Sequence, residues 1–133
     1  MRRFWTLLLT PVLTLAFFVL GSPAANAFGS EVLGCDWGTG WVANNCGGGN
    51  GLVTFSAHNL SGTYSYSWTL TGYGATNISS GCTATSSTCT VNTGNGGLND
   101  RTLTASLTLT QSGRSRTITA QATVWASGDC LKC

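Results

Sequence analysis

Leu103-Thr104-Ala105-Ser106-Leu107-Thr108-Leu109-Thr110 and, a short turn later, Thr117-Ile118-Thr119-Ala120-Gln121-Ala122-Thr123-Val124 decide the fold of this chain. In both stretches an apolar residue takes every second position, with Thr, Ser or Gln between. A strand sends successive side chains to opposite faces, so this period gives each segment one buried and one wet face. A helix would need apolar residues three and four apart, and Thr and Val crowd the preceding helical turn. Ser112-Gly113 between the stretches is a two-residue hairpin signal.

The alternation extends upstream. Val53, Phe55 and Ala57 oppose Thr54 and Ser56, and Tyr64, Tyr66, Trp68 and Leu70 oppose Ser65, Ser67 and Thr69. Asn59-Leu60-Ser61-Gly62 separates these two strands, and Asn92-Thr93-Gly94-Asn95-Gly96-Gly97 forms a long loop before the Leu103 strand. The fold predicted is all-β, a single antiparallel sandwich, with Trp68 in its core.

Residues 1–27 read as a secretory signal. Arg2 and Arg3 form a basic start, Phe4 to Leu20 an apolar run interrupted by Pro11, and Ala25-Asn26-Ala27 a small-residue cleavage pattern. The expected mature chain starts at Phe28, is secreted, and has no membrane insertion after signal cleavage. The domain order expected is signal peptide 1–27, a cysteine- and tryptophan-containing arm 28–49, a sandwich 50–126 and a cysteine-containing tail 127–133.

Six cysteines fall after the signal: Cys35, Cys46, Cys82, Cys89, Cys130 and Cys133. An even number in an exported chain implies disulfides. Cys82 and Cys89 are expected to close their own loop, restricting the unfolded ensemble by about 2.5 kcal/mol. For the other four, arm-to-tail bridges and the pairs Cys35 with Cys46 and Cys130 with Cys133 both remain open. Cys130-Leu131-Lys132-Cys133 has the spacing of redox and zinc sites, but it lacks the helix of the former and the further ligands of the latter. It reads as structural, with no metal and no cofactor.

The order of strands resembles the immunoglobulin-like β-sandwich of the polycystic kidney disease (PKD) type. The residues that carry the resemblance are Leu52-Val53-Thr54-Phe55-Ser56-Ala57, Tyr64-Ser65-Tyr66-Ser67-Trp68, Leu103 to Leu109, Gln111-Ser112-Gly113 and Thr117 to Val124. The resemblance covers roughly residues 50 to 126. The family follows its tryptophan with Gly-Asp-Gly, whereas this chain has Gly72-Tyr73-Gly74; Leu103 stands where the family often has tyrosine, and Gln111 where it has aspartate. The resemblance implies an immunoglobulin-like sandwich; it transfers no site residue.

Charge narrows the function. Only 8% of residues are charged, against about 25% in ordinary domains. Without the two signal arginines, four basic residues balance four acidic ones, so no basic patch is left for nucleic acid. His58, the one histidine, points away from Phe55 by strand parity and reads as a solvated surface residue. The acids are scattered, and no hydroxyl sits in a nucleophile context. A non-enzymatic module that binds an extracellular or cell-surface polysaccharide or protein is expected, with Trp37, Trp41 and Tyr73 as aromatic contact candidates. The alternative is a small disulfide-locked effector, a proteinase inhibitor or antimicrobial toxin, acting through the 82–89 loop.

Overall fold

In a computed structural model of the chain, residues 28–126 are described. They form nine strands and no helix: β1 (Val32–Asp36), β2 (Val42–Ala43), β3 (Asn45–Gly49), β4 (Leu52–His58), β5 (Ser65–Gly72), β6 (Ile78–Gly81), β7 (Thr88–Asn92), β8 (Arg101–Gln111) and β9 (Arg114–Val124). Two sheets face each other, one ordered β2-β1-β4-β7-β6 and the other β3-β9-β8-β5. The sets β1-β4-β7-β6 and β9-β8-β5 are the two sheets of the immunoglobulin order. Every pairing is antiparallel except that of β3 with β9, which is parallel.

The longest pairing explains the rest. β8 and β9 stay in register from Arg101 opposite Val124 to Gln111 opposite Arg114. Ser112 and Gly113 join them with φ of 50° and 74°, the paired positive values of the turn whose twist suits a hairpin. Leu103, Ala105, Leu107, Leu109, Ile118, Ala120, Ala122 and Val124 are all buried, as the alternation requires. Leu33, Val53, Phe55 and Val91 close the core from the opposite sheet. Trp68 lies partly buried against that core, and its indole N–H donates to Ser86 O at 2.9 Å.

The stretch 28–49 differs from the arm expected of it. It supplies β1 and β2 to one sheet, then crosses to the other as β3, so it belongs to the sandwich itself. Its glycines hid this from the alternation pattern because they carry no side chain to alternate. The Asp36 carboxylate organises the first turn by accepting from the N–H groups of Gly38 and Gly40, at 2.7 and 2.9 Å. Asn44 and Gly47 take positive φ at the crossing. The Cys35–Cys46 disulfide then ties β1 to β3 across the two sheets, which excludes an arm-to-tail bridge for these two. Cys82 pairs with Cys89 at the β6–β7 hairpin; Cys130 and Cys133 lie outside the described residues.

Three strand glycines give up side-chain space to tryptophans. The Trp41 ring edge lies where a Gly34 β-carbon would stand, Trp37 lies over Gly49, and the pyrrole edge of Trp125 over Gly48. A methyl at Gly34 would also press on the carbonyl of Val42, which is strand backbone and cannot swing away. Gly34→Ala is therefore expected to destabilise the protein by about 1–3 kcal/mol. Urea unfolding checks this, with a lowered midpoint at unchanged slope as the expected outcome.

Candidate functional site

The outward face of the four-stranded sheet carries an unusual pattern. Side chains of β5, β8 and β9 that do not enter the core fall in register as rows: Ser65, Thr110 and Ser115; Ser67, Thr108 and Thr117; Thr69, Ser106 and Thr119; Thr71, Thr104 and Gln121. Thr102 and Thr123 extend the last two columns. Every position but Gln121 holds a hydroxyl. Strand geometry spaces them about 4.8 Å across the sheet and about 6.8 Å along it. Neighbouring hydroxyls bond to one another, Thr108 with Thr117 and Thr110 with Ser115, each at 2.8 Å. No charged side chain stands within these rows.

One indole borders this face. Trp125 follows Val124 and so continues the outward parity of Gln121 and Thr123. Its backbone N–H donates to Gly49 O at 2.9 Å, its carbonyl accepts from Gly96 N at 2.8 Å, and the residue is 53% exposed. Gly48, under the ring, pairs with Thr123. The aromatic group is thus fixed at one end of the hydroxyl rows. The sequence held the signal for it: the alternation from Ile118 to Val124 puts the next residue outside.

The three aromatic candidates go to three different places. Tyr73 follows β5 beside the last row, with its N–H on Thr102 O at 3.0 Å and its hydroxyl donating to Asn95 O at 2.6 Å; it is 37% exposed. Trp37 packs partly buried against the core, its indole N–H without a protein partner. Trp41 sits on the far side of the molecule, over Gly34 on the outer face of the five-stranded sheet. Its N–H reaches Ser56 O at 3.3 Å, and its ring stacks on His58 at 4.1 Å and 12°. Neither Trp37 nor Trp41 lies on the hydroxyl face, and Tyr73, just past the end of β5, turns its hydroxyl to the loop that holds Asn95.

The Cys82–Cys89 loop leans on the sandwich. Ala84 O accepts the Tyr66 N–H at 3.0 Å and Ser86 O accepts the Trp68 indole N–H. The Ser86 hydroxyl donates back to Thr88 O at 2.8 Å. Its middle residues are therefore bound to β5 on one side.

No family model, curated protein or solved structure matches the chain.

Glu31, Tyr64 and Arg116 meet at the opposite end of the sandwich from Trp125. Glu31, 3% exposed, accepts from Gly29 N at 2.8 Å, from the Tyr64 hydroxyl at 3.1 Å and from Arg116 at 2.9 Å. Burial alone would push its carboxyl up, but the N–H groups of Gly29 and Glu31, the Tyr64 hydroxyl and the Arg116 charge together hold it below its ordinary value. Burial is also the main reason that the Tyr64 hydroxyl is pushed up, with the Glu31 charge adding to it. The Gly40 and Gly38 N–H groups lower Asp36. Gln111 ties the neighbouring loop down by donating to Ser61 O and Thr63 O, at 3.0 and 3.2 Å. Among the described residues no three His, Cys, Asp or Glu side chains are grouped to hold a metal ion.

Glu31 sets an acid dependence. Its folded value lies below 4.5, so its contribution is fully present above that pH. As acid is added the unfolded chain takes up the proton first, and the contribution is lost as the pH falls through the folded value. Urea midpoints measured from pH 7 to pH 3 are expected to fall below about pH 4.5 in the parent and to fall less in Glu31→Gln, which is itself about 1–3 kcal/mol less stable at pH 7. Asp36→Asn, at a half-buried carboxylate held only by turn N–H groups, is expected to change the acid dependence less.

Proposed function

We propose that this is a secreted, non-catalytic immunoglobulin-like module that binds an extracellular polysaccharide through the outward face of β5, β8 and β9. The observation that carries this reading is the registered array of hydroxyls bordered by Trp125. Sugars present hydroxyls that donate and accept, and Ser and Thr hydroxyls do the same by rotating. A neutral glycan also asks for no charge, and the rows have none. The indole offers an apolar surface to the C–H face of a sugar ring. Protein partners are less well suited, because tight protein interfaces concentrate aromatic, Met and Arg side chains at their centre, and the centre of this face holds Ser106, Thr108 and Thr119.

Each hydroxyl exchange nets little, on the order of 1 kcal/mol or less. Affinity for one glycan chain is therefore modest, and retention on a polymer comes from repeated engagement. The PKD-type resemblance of residues 50–126 belongs with this reading. The effector alternative draws less support, since the 82–89 loop spends its central backbone groups on β5.

The test is depletion of the oxidised secreted protein from solution by a panel of insoluble polysaccharides and cell-wall preparations. Binding to at least one is expected, weakened roughly tenfold by Trp125→Ala, a loss of about 1.4 kcal/mol. Thr119→Glu, which puts a charge in the rows, should weaken it similarly, and Trp41→Ala should leave it unchanged. Depletion by no material, or loss with Trp41→Ala alone, would overturn the assignment.

A further inference from the structure

Four strands end the two sheets, and three of them are blunted. β2 has two residues. β6 has four, is irregular between Ile78 and Ser80, and runs into the Cys82–Cys89 disulfide. β3 shifts register between Asn45 and Gly48 and is overlain by Trp125. Such shortness and irregularity keep an edge from pairing with another chain. β5 has none of these protections. It is eight residues long, pairs with β8 without a break from Ser65 to Gly72, and contains neither charge nor proline.

The hydrogen bonds show which β5 groups are open. Tyr66 N donates away from β8, to Ala84 O, whereas Tyr73 N donates towards it, to Thr102 O. In an antiparallel strand these directions alternate, so the N–H and C=O of Trp68 and Leu70 point outward. No partner for them occurs among the described residues. Ala84 limits the open stretch at one end, and the Gly72–Ala75 turn, closed by Ala75 N on Gly72 O, limits it at the other.

We infer that β5 is a self-association edge whose partner is a second copy of this chain, paired antiparallel about a two-fold axis at Thr69. In that register Trp68 of each copy lies opposite Leu70 of the other, and the two pairs exchange four backbone hydrogen bonds. Thr69 meets its own counterpart in the close, non-bonded position between them, with no charge to oppose it. Since the other edges are blunted, pairing at β5 closes as a dimer and does not propagate. The hydroxyl rows of the two copies then continue across the axis as one face. A short edge contact buries less than the ~1,200 Å² of a stable interface, so the dimer is a weak one. The inference rests on the edge alone and is independent of glycan binding.

Sedimentation equilibrium of the oxidised secreted protein, without glycan, from about 1 µM to about 1 mM tests it. A monomer–dimer equilibrium with no larger species is expected. Thr69→Lys, which sets two like charges against each other at the axis, should raise the dimer dissociation constant at least tenfold while leaving the urea midpoint within error. In a second test, Thr69→Cys under mild oxidation should give a covalent dimer faster than Thr119→Cys, which lies on the same face but away from the edge. A parent protein monomeric at every concentration, Thr69→Lys dimerising as well as the parent, or equal cross-linking of the two cysteine variants would each overturn the inference.

Discussion

The register of the β8–β9 hairpin is the constraint on which the rest depends. With eleven residues on each side, a slip of one would carry the buried Leu, Ile, Val and Ala residues into water and the threonines into the core. The Ser112–Gly113 turn prevents the slip locally, and apolar burial against Phe55, Leu33, Val53 and Val91 opposes it globally. The same alternation that fills the core fills the outer face with hydroxyls. Core and candidate binding surface are two sides of one pattern, so the rows are held as rigidly as the core behind them.

The N-terminal stretch attaches to this frame by a different means. It has too few apolar side chains to anchor itself by alternation, and it must cross from one sheet to the other. The Cys35–Cys46 bridge fixes the crossing, closing a loop worth about 3 kcal/mol of chain entropy. Tryptophan rings laid over Gly34, Gly48 and Gly49 supply the packing that these glycines lack. Trp125 over Gly48 joins segments far apart in sequence, whereas Trp41 over Gly34 and Trp37 over Gly49 brace the N-terminal stretch within itself. Glu31 serves the other end in a comparable way, joining the segment before β1 to Tyr64 and Arg116 through one buried carboxylate.

A low charge shapes the chemistry available to the molecule. Its surface is solvated mainly by hydroxyls and amides, with few charged side chains among them. The same neutrality removes the usual protection of an edge strand, which charged side chains would otherwise provide. The hydroxyl rows and the open β5 edge thus follow from one compositional fact, and both lie on the same sheet.

Strand identity, the inward and outward faces of β4, β5, β8 and β9, the hairpin turn and the local Cys82–Cys89 pair were legible in the sequence, because alternation and short loop closure are properties of a few consecutive residues. Trp125 was legible in the same way, one step past the end of the β9 pattern. The sheet order, the choice of Cys46 as the partner of Cys35, the withdrawal of Trp37 towards the core and the distance between Trp41 and Tyr73 were decided only by the tertiary structure. So was the burial of Glu31, whose cation lies 85 residues away. These depend on which strands become neighbours. Long-range packing settles that, and in the stretch 28–49 the glycines leave no local pattern from which it could be read.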